Sequence, residues 1–274
     1  LKQLIYEKGI VREFDHAIST GQFRMYLQPL VRADRTLKGA EALARWVHPA
    51  RGLIMPVNFI SVVEKTGLIS KLDEYMWELA ARKLREWKDI GREDLTISVN
   101  ISAKDFYYTD LYKTFTGLVE KYGIAPGNLN LEITETVLMS DLQHHMETLT
   151  RLQDYGFVIE LDDFGSGYSS LNMLKDITAD VLKIDMLFLR ETEHTVRNRI
   201  ILQSVISMAK QLGMAVITEG VETEEQLESL KKMGCELFQG YYFSRPIAVE
   251  EFEQKYIGEA ARRKARDEGS REGI

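Results

Sequence analysis

Apolar and polar positions along the chain fall into a repeating unit, an apolar run of strand length followed by a longer amphipathic stretch. The middle of the chain shows it best. LTISVNI (95–101) precedes a predicted helix over 103–122, NLNLEIT (128–134) one over 141–155, and the run 157–163 a short one over 168–175. VLKID (181–185) leads to a helix over 196–212, AVITEGV (215–221) to one over 224–233, and ELFQGYYF (236–243) to a last helix from Val249. The N-terminal part is less regular. A helix over 4–20 ends before Gly21, and FRMYLQPLV (23–31) reads as a strand in which Pro29 demands a bend or a strand end. LKGAEALARW (37–46), a His-Pro loop, a short helix near 57–66 and a long helix over 71–88, with Ser70 as its predicted cap, complete that region. Eight strand-like runs, most followed by a helix and with no Gly-, Pro- or Ser-rich linker between them, give the α/β class and a single TIM-like (β/α)8 barrel. We assign residues 1–255 to the barrel with its N-terminal helix and 256–274 to a charged helix end and tail.

Composition narrows the chemistry. The 274 residues are 45% hydrophobic and 28% charged, enough for a full core, with a formal net charge of -7. The acidic balance and the lack of a basic run with interleaved aromatics argue against a nucleic-acid polymer as partner. The single cysteine, Cys235, excludes an internal disulfide and suits a reducing cytoplasm. No apolar run reaches the roughly 20 residues of a membrane span, so no membrane contact is expected of this domain. A start at Leu1 rather than Met is expected of a piece cut from a longer protein, itself free to be membrane-anchored.

The stretch GFVIELDDFGSGYSSL (156–171) is unusual in ending an apolar strand with two adjacent carboxylates, Asp162 and Asp163, before a Gly-Ser-Gly hinge. Side-by-side carboxylates repel and resist desolvation unless a cation or a proton offsets them. In a barrel of this kind chemistry collects at the C-terminal ends of the strands. The residues expected there are Glu41 and Arg45, Asn100, Glu132 and Glu135, Asp162 and Asp163, Lys183 and Asp185, Glu219 and Glu222, and Gln239. Taken singly, each has an ordinary explanation: a helix cap, a turn contact or an ion pair. Together, so many carboxylates at one mouth require cations. Oxygen donors, with no cysteine and no histidine at a strand end, select a hard ion such as Mg²⁺ or Mn²⁺ over zinc. Asp162 and Asp163 suit a bridge between two ions that clamp a phosphodiester, with Lys183 neutralising charge on phosphate and Arg45 gripping a second phosphate.

The same residues carry a family resemblance. GAEALARW around Glu41, VNIS around Asn100, LEITET around Glu132, LDDFGSGYSSL around Asp162, LKID around Lys183, TEGVET around Glu219 and FQGYYFSRP around Gln239 occur in order, and over roughly residues 10–255 the chain resembles the EAL domain, the bacterial cyclic di-GMP phosphodiesterase. The resemblance implies a TIM-like barrel with one early antiparallel strand, hydrolysis of cyclic di-GMP to linear pGpG, Mg²⁺ or Mn²⁺ as cofactor, and inhibition by Ca²⁺. It implies a first metal on Glu41, Asn100, Glu132 and Asp162, and a second on Asp162, Asp163 and Glu219 with Asp185 close by. Lys183 is then the residue that positions the water, and Glu219 doubles as base. Substrate contacts fall to Gln28, Leu43, Arg45, Glu222, Gln239 and Pro246, and Glu135 anchors the loop from Asp163 to Ser169. A homodimer, and a sensor or diguanylate cyclase-like domain elsewhere in the parent protein, are implied likewise. The competing reading is a receptor that binds cyclic di-GMP without hydrolysing it. Such members usually lose the first-motif Glu, the Asn or the glycine-rich loop, all of which this sequence keeps.

Overall fold

A computed structural model describes residues 2–164, 177–185 and 196–258. The elements follow the predicted order. Helix α1 (Lys2–Ser19) leads into β1 (Phe23–Arg32), β2 (Leu37–His48) and a short β3 (Gly52–Ile54). Then come α2 (Ile60–Thr66), α3 (Ile69–Asp89), β4 (Thr96–Asn100), α4 (Asp105–Tyr108), α5 (Leu111–Tyr122) and β5 (Leu129–Thr134). The second half holds α6 (Glu135–Ser140), α7 (Leu142–Tyr155), β6 (Ile159–Phe164), β7 (Val181–Ile184), α8 (Val196–Gln211), β8 (Ala215–Thr218), α9 (Glu224–Lys232), β9 (Leu237–Phe238), β10 (Ile247–Ala248) and α10 (Val249–Phe252).

Strands β1, β2, β4, β5, β6, β7, β8 and β9 close into a ring. From β2 through β4 to β9 the neighbours run parallel, whereas β1 is antiparallel to both β2 and β9. The early antiparallel strand is therefore β1. Pro29 lies inside it, next to a register shift at Leu30/Val31, where a missing N–H is tolerated. Beyond the ring, β3 pairs with β2 and β10 with β1.

Several expectations change. Ser70 is no cap: α3 starts at Ile69, and Ser70 is buried inside its first turn. The helix predicted over 103–122 breaks at Thr109–Asp110, where the Asp110 carboxylate accepts from the Lys113 N–H and starts α5. An extra short helix, α6, precedes α7, capped by Thr134. The last strand of the ring, β9, is two residues long because the chain past Gln239 packs on the 219–221 turn; a Cβ on Gly240 would stand 2.2 Å from the Val221 carbonyl oxygen. The predicted helix over 168–175, the glycine-rich loop from 165 to 169 and the tail after 258 lie outside the described residues.

The main core fills the shell between barrel and helices. Leu129, Leu131 and Ile133 of β5, Ile97 and Val99 of β4, and Ile159 and Leu161 of β6 point into it, against Trp77 and Phe115, whose rings lie 4.6 Å apart. Alternation sends the intervening residues of these strands inward. There the lining divides, with Leu30, Val181 and Ile217 forming an apolar cluster and Ser98, Asn130, Glu132 and Glu160 standing buried and polar.

Candidate active site

The mouth of the barrel is organised by Lys183. It is 1% exposed, and its ammonium lies 2.5 Å from Glu132 Oε1, 2.7 Å from Glu219 Oε1, and 3.6 Å from both Glu41 Oε2 and Asp162 Oδ1. Those carboxylates come from β2, β5, β6 and the end of β8, each on the inward parity of its strand. Carboxylate oxygens of Glu41, Glu132 and Glu219 fall within 4.8 Å of one another. Glu219, which the resemblance places on the second ion, thus stands with two ligands of the first. Asn100 ends β4 beside Glu132 in register, and its carbonyl is held by the Trp77 indole N–H at 2.9 Å.

Electrostatics follow from this crowding. Burial works against the Lys183 charge, but the four carboxylates outweigh it and hold the ammonium well above its usual range. Burial, then Glu41, pushes Glu132 far up, and burial raises Glu219 to about 8 against the pull of Lys183. Asp162 goes the other way: burial raises it, but opposing effects led by the charge of Lys183 outweigh that and draw it down. Asp163 is raised by burial and by its neighbours Asp162 and Asp185, and its φ of 56° is a left-handed conformation uncommon outside glycine. One ammonium does not balance these acids. Glu132 Oε2 and Asp162 Oδ1 are buried without a hydrogen-bond partner, and oxygen donors of this kind fit a hard divalent cation.

The expected substrate residues form one flank. The Gln239 amide donates to Glu41 and, at 3.2 Å, to Gln28 Oε1, and Gln28 donates to the Ser244 carbonyl at 3.3 Å. Arg45 is buried over the Tyr26 ring; burial draws its pKa down against the pull of Glu41. Leu43 and Pro246 are half-buried, whereas Glu222 is exposed. Glu135 is buried in the first turn of α6, directly after the Thr134 cap. The residues it is expected to anchor begin at Asp163 and run mostly outside the described part. Sequence reasoning missed Tyr241 and Arg245. Tyr241 is exposed, carries Arg245 over its ring at 4.4 Å and bears on Arg45 electrostatically. Their place in FQGYYFSRP, either side of the expected Pro246, was the available signal.

Comparison with known proteins agrees with this geometry. The chain is 38% identical over 259 residues to the cyclic di-GMP phosphodiesterase NbdA of Pseudomonas aeruginosa, covering 93% of this chain and 33% of that protein. It is 33% identical over 251 residues to the cyclic di-GMP phosphodiesterase RocR of the same organism, covering 90% of this chain and 63% of that one. The chain thus spans about a third of NbdA's length. Among solved structures, the PaMucR phosphodiesterase in complex with c-di-GMP superposes with a TM-score of 0.83 at 36% identity, over 89% of this chain and 99% of that one. With the EAL domain model matching residues 11–246, the chain belongs to the EAL domain family.

Proposed function

We propose that this domain hydrolyses cyclic di-GMP to linear pGpG with Mg²⁺ or Mn²⁺, by water activated at a two-metal site. The observation that carries the proposal is the meeting, in an EAL-family barrel, of one buried ammonium with carboxylates from four strands that still leave acceptor oxygens unpaired. Glu41, Asn100, Glu132, Asp162, Asp163 and Glu219 are the residues to hold the ions. When bound, these supply a water of lowered pKa and positive charge for the phosphate oxygens. The chain's own groups do the rest. Lys183 positions the water and faces charge developing on the phosphate. Glu219, whose Oε1 lies 2.7 Å from the Lys183 ammonium, doubles as the base for that water. A product with a terminal 5′-phosphate requires the bond from phosphorus to the 3′ oxygen to break as the water oxygen attacks. Arg45 holds the second phosphate, and Leu43, Gln28, Gln239, Glu222 and Pro246 orient the nucleotide, while Glu135 anchors the loop that follows Asp163. A homodimer and further domains in the parent protein belong to the same reading. Among the described residues no helix is long and apolar enough to cross a membrane.

Incubation of the purified chain with cyclic di-GMP and Mg²⁺ or Mn²⁺, with nucleotides separated by chromatography, tests the proposal. pGpG is expected to form, to cease when a chelator or Ca²⁺ replaces the metal, and to be absent with Glu41→Ala, which removes a ligand and little core volume. Binding of cyclic di-GMP without turnover in every metal would make the domain a receptor. Full turnover by Glu41→Ala with wild-type metal dependence would sink its assignment as a ligand.

A further inference from the structure

Below the mouth, the barrel interior holds a carboxylate that none of these roles uses. Glu160 on β6 is 0% exposed, faces inward two residues before Asp162, and is paired in register with Glu132 of β5. The Asn130 side-chain amide donates to Glu160 Oε1 at 2.7 Å, and the Ser98 hydroxyl bonds to the same carboxylate. Glu160 Oε2 is buried without a hydrogen-bond partner. Asn130 and Ser98 are themselves buried, at 5% and 4% exposure, and lie two residues before Glu132 and Asn100 on their strands.

Two features make this residue costly as plain filling. An apolar side chain of similar size would occupy the position without desolvating a carboxylate, as Val181, its register neighbour on β7, does together with Leu30 and Ile217. Burial raises the Glu160 carboxyl above its ordinary range, but Lys183 attracts its charge and Asn130 and Ser98 meet it with donors, an arrangement that favours the ionised form against that burial. Its charge is attracted by Lys183 and repelled by Glu41 at the mouth, and it interacts with Lys38, near the start of β2, as well. A divalent cation held by the layer above would feel that charge in a medium that screens it poorly.

We propose that Glu160 is a positioning residue for the metal site, its charge raising the affinity of the mouth for divalent cations while its bonds to Asn130 and Ser98 hold β5 and β4 in the register that presents Glu132 and Asn100. This rests on the reading of the mouth as a metal site. Outer partners of metal ligands typically contribute 10- to 100-fold in affinity, and Glu160 is placed to do so from beneath.

Calorimetric titration of the chelator-treated chain with Mn²⁺, in wild type, Glu160→Gln and Glu160→Asp, tests it. Glu160→Gln keeps an acceptor for Asn130 and removes only charge. It is expected to raise the Mn²⁺ dissociation constant about tenfold, with KM for cyclic di-GMP at saturating Mn²⁺ within about twofold of wild type. Its thermal midpoint should be unchanged or higher, because a buried charge is gone. Glu160→Asp keeps the charge on a shorter arm and should bind Mn²⁺ more tightly than Glu160→Gln while melting lower. Glu160→Gln binding Mn²⁺ as wild type does, or Glu160→Asp binding more weakly than Glu160→Gln, overturns the inference and leaves the metal site standing. A wild-type chain that takes up no Mn²⁺ overturns both.

Discussion

The two faces of β5 show how the barrel wall separates stability from chemistry. Outward, Leu129, Leu131 and Ile133 enter an apolar shell that needs no compensation for burial. Inward, Asn130 and Glu132 enter the polar part of the interior, where Asn130 donates to Glu160 and Glu132 accepts from Lys183. Buried ion pairs contribute little net stability, because desolvation offsets their attraction. The shell must therefore hold the fold, and the interior is free to be arranged for a ligand.

The comparison is broken most severely from inside. Lys183→Met leaves four carboxylates without their ammonium. Turnover is expected to fall by about 10²–10³-fold through lost charge stabilisation. In chelator the same variant should lose about 3–5 kcal/mol, as when one partner of a buried pair is removed. Kinetics at saturating metal and urea unfolding in chelator read the two effects separately. An unchanged urea midpoint would mean that the mouth is far better solvated than the 1% exposure of Lys183 indicates.

Breaking the shell should do the reverse. Phe115→Ala is expected to cost about 3–5 kcal/mol by urea unfolding, with turnover per folded molecule kept. A kcat loss as large as that of Lys183→Met would erase the distinction between the two regions.

A third variant probes an exception, an acid pair set in the shell. Asp105 is 0% exposed, accepts from the Ser102 N–H at 2.7 Å and from its hydroxyl at 2.8 Å, and is hydrogen-bonded to Asp73 of α3. Burial, then the charge of Asp105, holds Asp73 well above its ordinary 3.8. A raised folded-state pKa means that the folded protein keeps a proton the unfolded chain has released. Its contribution is complete below 3.8 and fades as pH rises through the folded value. Asp73→Asn keeps a donor to Asp105 and cannot ionise. The fall in urea midpoint with rising pH should be shallower in this variant, and a slope equal to wild type would place the titration elsewhere.

Much of this was legible in the sequence because inward and outward residues alternate so cleanly. In NLNLEIT and LTISVNI every second residue is apolar, and the remaining positions include Glu132 and Asn100. Composition and order therefore announced both the barrel and its polar mouth. Glu160 escaped notice because its strand, FVIELDD, reads as an apolar run ending in acids, and only register against Glu132 shows that it faces the interior. The four-way contact of Lys183 was likewise out of reach, since it depends on how far each strand is staggered around the ring. Elements of two to six residues, β3, β10 and α6 among them, are fixed by partners distant in sequence or by a single cap rather than by periodicity. Ser70 shows the converse: a residue with the chemistry of a cap was drawn into the first turn of the helix and buried there.

The hydrogen bond from Gln239 to Gln28 joins residues 211 positions apart. Ring closure between β1 and β9 makes the same long connection, and loops of that length form late because their closure entropy precedes any contact that rewards it. The helices and the parallel strands between β4 and β8 need no such closure. During refolding, helical circular dichroism should therefore return before cyclic di-GMP turnover. The flank of Gln28, Glu41 and Gln239 comes into being only when the first strand meets the last, so under the proposed function a nascent chain of this domain is expected to stay catalytically silent until its C-terminal strands have emerged.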